Sequence, residues 1–176
     1  RWTQFGVFSS HIRYHGTNKC EPWHYPAIAP IIKKWWKLRY TLIPYIIAQS
    51  RKAISSGAPL LQALIFHHPE DKLCWHIDDE YYFGNDFLVA PVMNSENRRD
   101  VYLPEGQWVN FFTGEVLEGG RWLKDLDVPL DEMPVYVRQG ATIPVYPDEV
   151  ECTDEMDLSK SAELHIDNHF KGIFKD

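Results

Sequence analysis

Residues 99–126, RDVYLPEGQWVNFFTGEVLEGGRWLKDL, decide the fold. Short apolar-rich runs are cut by Pro104-Glu105-Gly106, Thr113-Gly114 and Gly119-Gly120. Such clusters favour tight turns, because glycine reaches backbone angles closed to other residues. Short strands separated by turns every ~8–12 residues are the mark of an antiparallel sandwich. The same texture extends in both directions, and strands are expected over 87–93, 99–103, 107–112, 121–126, 135–138 and 141–145. Residues 84–147 therefore read as an all-β unit.

Upstream the texture differs. Over 29–56, Ile32, Trp35, Trp36, Leu42, Ile43, Ile46 and Ile47 recur at three- and four-residue steps, with Lys33, Lys37, Gln49, Arg51 and Lys52 on the other side. That is the pattern of an amphipathic helix. Pro44 removes one backbone donor and predicts a kink near Tyr40 and Thr41, and Gly57 is a stop signal. PLLQALIF at 59–66 reads as a strand buried on both faces, which with the preceding helix makes an α/β unit. Trp2, Phe5 and Phe8 suggest the tail of another amphipathic helix, so residues 1–75 form the closing part of an alternating α/β domain. Residues 148–160, rich in Asp and Glu, read as a solvated linker, and SAELHIDNHF after it as the opening strand of a further β domain within 148–176.

Composition excludes several classes. The chain has 176 residues, 44% hydrophobic and 24% charged, which is ordinary for a globular protein. Its formal charge of −7 and the lack of a basic groove lined by stacking residues disfavour a nucleic-acid partner. The basic stretch Lys33-Lys34-Trp35-Trp36-Lys37-Leu38-Arg39 reads as the wet side of a helix. No apolar run reaches the ~18 residues of a membrane span. Cys20, Cys74 and Cys152 are odd in number and widely spaced, so reduced thiols in a cytoplasmic protein are expected rather than disulfides or a zinc site. The first residue is not Met and stands inside an apolar-periodic stretch, so the chain is expected to be cut from something longer. The aromatic share, 14%, includes 7 Trp, which fill cores but also serve as platforms for sugar rings.

The acids and histidines offer few reaction centres. Adjacent Asp78, Asp79 and Glu80 point along different faces and make poor catalytic partners, so they read as helix-terminal and surface acids. Glu70, Asp71 and Asp86 are other candidates without a visible mate. His67 and His68, placed in a strand, would face opposite sides, which is wrong for sharing a metal ion. His165, Asp167 and His169 read as surface groups. HIRYHG at 11–16 differs: in a short strand His11, Arg13 and His15 share one face while Ile12 and Tyr14 pack on the other. Spacing leaves two readings of that row open, a hydroxyl-binding wall and a satisfied polar edge.

These residues with their neighbours resemble glycoside hydrolase family 31, the α-glucosidases and α-xylosidases. The resemblance rests on RWTQFGVFSSHIRYHG at 1–16, KLRYTLIPY at 37–45, GAPLLQAL at 57–64, IDDEYYFGNDFLVAPV at 77–92, VYLPEGQWVNFFTG at 101–114 and PLDEMPVYVRQGATIP at 129–144, in that order. It implies that 1–75 is the C-terminal portion of a (β/α)8 catalytic barrel, 84–147 a proximal β-sandwich, and 148–176 a linker and the start of a distal β domain. It also implies retaining hydrolysis of a terminal α-xylosyl or α-glucosyl residue by two Asp residues that lie upstream of the stretch resembling RWTQFG. On that reading no catalytic residue lies in this chain and the chain alone is inactive. His15, in Arg13-Tyr14-His15, would be the substrate-binding residue, with Arg13 and His11 in support. SSHIRYHG is closer to the α-xylosidase-like branch.

The implied partners are an α-linked oligosaccharide or xyloside and the remainder of the catalytic barrel, with no cofactor and no metal. A partial barrel exposes unpaired strand edges, so association, including a homo-oligomer, is expected. The rival reading is a carbohydrate-binding or purely structural β-sandwich module.

Overall fold

The computed structural model describes residues 1–173. Helices α1 (Trp2–Val7), α2 (Ala29–Thr41) and α3 (Ile43–Ser56) come first. Strands follow: β1 (Leu61–Ala63), β2 (Tyr81–Phe83), β3 (Phe87–Val89), β4 (Arg98–Leu103) and β5 (Gln107–Asn110). Then come β6 (Val116–Glu118), β7 (Arg121–Asp127), β8 (Val135–Arg138), β9 (Thr142–Val145) and β10 (Ala162–His165).

The long helix read from periodicity is two helices. Pro44 stands in the first turn of α3, where its missing N–H costs least. Leu42 joins the pair: its N–H donates to Leu38 O at 3.0 Å and its carbonyl accepts from Ile46 N at 2.9 Å. At the other end Gly57 closes α3 with φ 77°, and its N–H donates to Ala53 O at 2.9 Å.

All the ladders among the described residues are antiparallel. One sheet has the order β1-β2-β3-β8-β5-β6, and β4-β7 and β9-β10 form two-stranded ribbons. This corrects the α/β reading of PLLQALIF. Only Leu61–Ala63 is strand, at a sheet edge, antiparallel to Tyr81–Phe83. The chain then turns through a 3-10 segment, Leu64–Phe66, that buries Leu64 and leaves Phe66 exposed. An apolar run reports burial, not the direction of the neighbouring strand.

Alternation along the sheet separates two cores. Tyr82, Leu88, Trp108 and Tyr136 face a core closed by Val101, Leu103, Trp122 and Leu123 of the β4-β7 ribbon. Phe83, Phe87, Val89, Val109, Val135 and Val137 face the other side, where they meet Val7, Phe8, Trp35, Leu38, Leu42 and Tyr45 of the helical segment. The helices and the sheet thus share one apolar core.

Gly84 is required by this contact. Its φ is +63°, and a Cβ there would collide with the Tyr45 hydroxyl and with Gln49 Cγ at 2.7 Å. The acidic stretch 148–160 is largely exposed. It folds into two 3-10 turns, Thr153–Glu155 and Leu158–Lys160, and is tied back where Tyr146 N donates to Thr41 O (2.8 Å) and Asp157 N donates to the Tyr146 hydroxyl (3.1 Å).

Candidate functional site

HIRYHG leaves the end of α1, and α1 is fixed first. Arg1 donates to Glu132 O and Val128 O, both at 2.6 Å, and Gln4 Nε2 to Leu130 O at 2.8 Å. These bonds tie the helix to the loop between β7 and β8. The sheet reaches α1 from the other side, since the Tyr81 hydroxyl donates to Phe8 O at 2.9 Å.

The exit from α1 is held by Arg39 of α2. Its Nη1 lies 2.7 Å from Val7 O and 2.5 Å from Ser9 O, and its Nη2 3.0 Å from Ser10 O. A guanidinium at a helix C-terminus satisfies carbonyls that have no intrahelical partner and opposes the negative end of the helix dipole. Sequence reasoning placed Arg39 on a wet helix face. Its position one turn before the Leu42 break, with its side chain reaching back to α1, is a tertiary fact that periodicity does not carry.

Residues 11–16 form neither helix nor strand, so the expected strand is absent. The two-residue alternation is present all the same: His11, Arg13 and His15 are exposed, and Ile12 and Tyr14 are half-buried. Ile12 lies where a Cβ on Gly6 would stand, 2.6 Å from its Cδ1, so only glycine at that turn of α1 admits it. The Tyr14 hydroxyl lies 2.5 Å from Thr3 Oγ1, and its ring packs edge-on against Trp36 at 5.8 Å. Trp2 Nε1 donates to Arg13 O at 3.3 Å.

Of the three outward groups, the structure brings two together. Arg13 Nη2 lies 2.7 Å from His15 Nδ1. His11 is turned to its neighbour, with Nδ1 3.3 Å from Ser10 Oγ, so its support of the row is confined to its own end. His15 borders a cleft of ≈ 350 Å³ lined by Trp2, Tyr14, Cys20, Tyr25 and Trp35 among others. Trp2 and Tyr25 are exposed there, and the Tyr25 hydroxyl is anchored to Lys19 O at 2.9 Å. Cys20 and Tyr25 sit in a loop whose prolines and glycine marked it as irregular, but nothing in their spacing assigned them to this cleft.

The remaining candidates have structural uses. Glu80, read as a surface acid, is buried: it accepts from Tyr102 N at 2.8 Å and stands 3.3 Å from Arg99 Nη2. Arg99 is also buried, and donates to Asp100 O (2.8 Å), Asp79 O (3.2 Å) and Pro91 O. Burial pushes the Glu80 carboxyl up to about 8, against the pull of Tyr102 N–H and Arg99. Asp86 joins α3 to the β2-β3 turn, with its carboxylate 3.1 Å from the Tyr45 hydroxyl and 3.3 Å from Gln49 Nε2. Burial raises its carboxyl as well. Asp71 caps the next 3-10 turn by accepting from Leu73 N at 3.0 Å.

His67 and His68 do not face opposite ways. Both rings lie against Tyr82, at 4.1 and 5.9 Å. Burial, with Arg138 and His68 nearby, lowers His67 to about 4. Among the described residues no group of three His, Cys, Asp or Glu is placed to hold a metal ion. Cys20, Cys74 and Cys152 are free thiols.

Residues 1–49 match the model of the glycosyl hydrolases family 31 TIM-barrel domain, and residues 57–143 that of the glycosyl hydrolase family 31 C-terminal domain. The chain is 34% identical over 180 residues to alpha-glucosidase 2 of Bacillus thermoamyloliquefaciens, covering 99% of this chain. It is 37% identical over 159 residues to an alpha-xylosidase of Saccharolobus solfataricus, covering 88% of this chain. It spans 22% of the length of each of these relatives. Among solved structures, the Xanthomonas citri GH31 alpha-xylosidase superposes with a TM-score of 0.80 at 32% identity, over 88% of this chain and 17% of that one. The Flavobacterium johnsoniae GH31 dextranase complexed with glucose superposes at 0.77 with 36% identity, over 84% and 19%.

Proposed function

The chain belongs to glycoside hydrolase family 31, and on that premise we propose that it is the closing part of a retaining α-glycosidase, with HIRYHG as one wall of the sugar pocket. Residues 1–56 are the last helices of the catalytic barrel. The sheet and ribbons from about Gly57 to residue 147 are a sandwich that buttresses it, and residues 148–173 return to that unit, where β10 pairs with β9 and Ile166 and Phe170 enter the shared core. The pairing of β1 with β2, rather than with a segment before it, supports a boundary near Gly57 in place of the one near residue 75 read from the sequence.

The observation that carries the reading is the outward row itself. Arg39, Gly6, Tyr14 and Trp2 fix residues 11–15 from beneath, and the alternation then presents His15, with Arg13 bonded to it, at an aromatic-lined cleft. Hydrogen-bond donors next to aromatic faces are the chemistry that recognises a sugar, whose rings offer both C–H faces and hydroxyls. His15 takes a hydroxyl of the terminal α-xylosyl or α-glucosyl residue and holds the ring in place as the oxocarbenium-like transition state forms. The carboxylates that break the glycosidic bond come from segments upstream of RWTQFG, so this chain binds and positions without cleaving.

Titrating the chain with methyl α-xyloside and methyl α-glucoside while following amide and imidazole resonances tests this. Shifts centred on residues 11–16 and lost in His15→Ala are expected. Shifts confined to sheet residues such as those of β6 and β7 would instead favour a carbohydrate-binding sandwich.

A further inference from the structure

Resting on the reading of His15 as a sugar contact, we propose that Arg13 is a positioning residue: it fixes the tautomer of His15, so that Nε2–H is the donor offered to the sugar. A guanidinium carries five N–H donors and no acceptor. At 2.7 Å from Arg13 Nη2, His15 Nδ1 therefore presents its lone pair, because two donors do not approach so closely. The neutral ring then holds its one proton on Nε2, on the side away from Arg13.

The pairing is built into the backbone. Arg13 and His15 are exposed on either side of the half-buried Tyr14, which is fixed by Thr3 on its hydroxyl and Trp36 on its ring. Trp2 holds the Arg13 carbonyl. Among the described residues, His15 is the hydrogen-bond partner of the Arg13 side chain. The outcome is a wall that offers the sugar a donor of defined position, and the atom it recognises is a hydroxyl oxygen acting as acceptor.

The imidazole nitrogens of His15 read this directly in the 15N-labelled 176-residue chain. The expected spectrum shows Nε2 protonated and Nδ1 as an acceptor. Arg13→Met should raise the Nδ1–H population about fivefold, the ratio to which one ordinary hydrogen bond corresponds, and Arg13→Lys should hold it near the unsubstituted value. A proton found on Nδ1 in the unsubstituted chain, or an unchanged tautomer ratio in a folded Arg13→Met, overturns the proposal. Should Arg13→Met lose its native amide spectrum, the through-bond coupling between Arg13 Nη and His15 Nδ1 in the unsubstituted chain decides: present it supports, absent it refutes. A locked tautomer that does not respond to added methyl α-xyloside would remove the sugar reading and leave the pairing intact.

Discussion

Arg39 Nη1 of α2 stands 2.7 Å from the carbonyl oxygen of Val7, the last residue of α1, and so ties two helices through the end of one of them. Charge-assisted bonds of this kind contribute about 1.5–3 kcal/mol each where water is excluded, and less at a half-buried site. Arg39→Met should therefore destabilise the chain by about 1–3 kcal/mol in urea unfolding. Hydrogen exchange at residues 8–12 should rise by more than the global loss explains. Unchanged exchange there would show that Arg39 does not hold the HIRYHG entrance.

Glu80 predicts an unusual pH response. Its carboxyl is raised to about 8 by burial, above the ordinary 4.5. Between those values the folded chain keeps a proton that the unfolded chain has released, so this group's contribution to stability is full below about 4.5, falls as pH rises to about 8, and is level beyond. His67 works in the opposite sense: held down to about 4, it costs stability as pH falls below 6.5. The difference between the unsubstituted chain and Glu80→Gln isolates the first effect. From pH 5 to 8 the urea midpoint of the unsubstituted chain should fall steadily relative to that of Glu80→Gln, and a constant offset would contradict the buried carboxyl.

Two of the attachments of the acidic stretch 148–160 differ in weight. Lys37 Nζ lies 2.6 Å from Glu149, but both side chains are largely exposed, and such pairs contribute about 0–1 kcal/mol. Tyr146 is buried and holds both Thr41 and Asp157. Limited proteolysis within 148–160 should speed up in Tyr146→Ala and stay almost unchanged in Glu149→Gln. Equal acceleration by both would mean that the ion pair anchors the segment.

Helices and sheet share a core in which Trp35 meets Phe112 edge-on at 5.4 Å. Trp35→Ala should cost about 3–5 kcal/mol. Far-ultraviolet and tryptophan signals should report one coincident transition in the unsubstituted chain. Two separated transitions would contradict a common core.

Turns made the sheet readable. Pro104-Glu105-Gly106 and Gly119-Gly120 delimit β4, β5 and β7, and Val135–Arg138 is a strand at the bounds read from the sequence. Pro44 likewise marked the break between α2 and α3 to within two residues. What remained hidden depends on partners far along the chain. Glu80 looks like one of three surface acids until Arg99 and Tyr102 arrive from β4. The edge pairing of β1 is decided by Tyr81–Phe83, a run too short to announce itself. At the site, the two-residue period of HIRYHG revealed which side chains face out, whereas Arg39 and the cleft around His15 required the fold.

The central claim is that this chain supplies a sugar-holding wall and not the reacting carboxylates. Incubating the purified 176-residue chain with p-nitrophenyl α-xyloside and p-nitrophenyl α-glucoside tests it most directly. No release of p-nitrophenol above the buffer rate is expected from the chain or from His15→Ala. Sustained turnover by the chain that His15→Ala abolishes would contradict the claim and place a complete reaction centre within these residues.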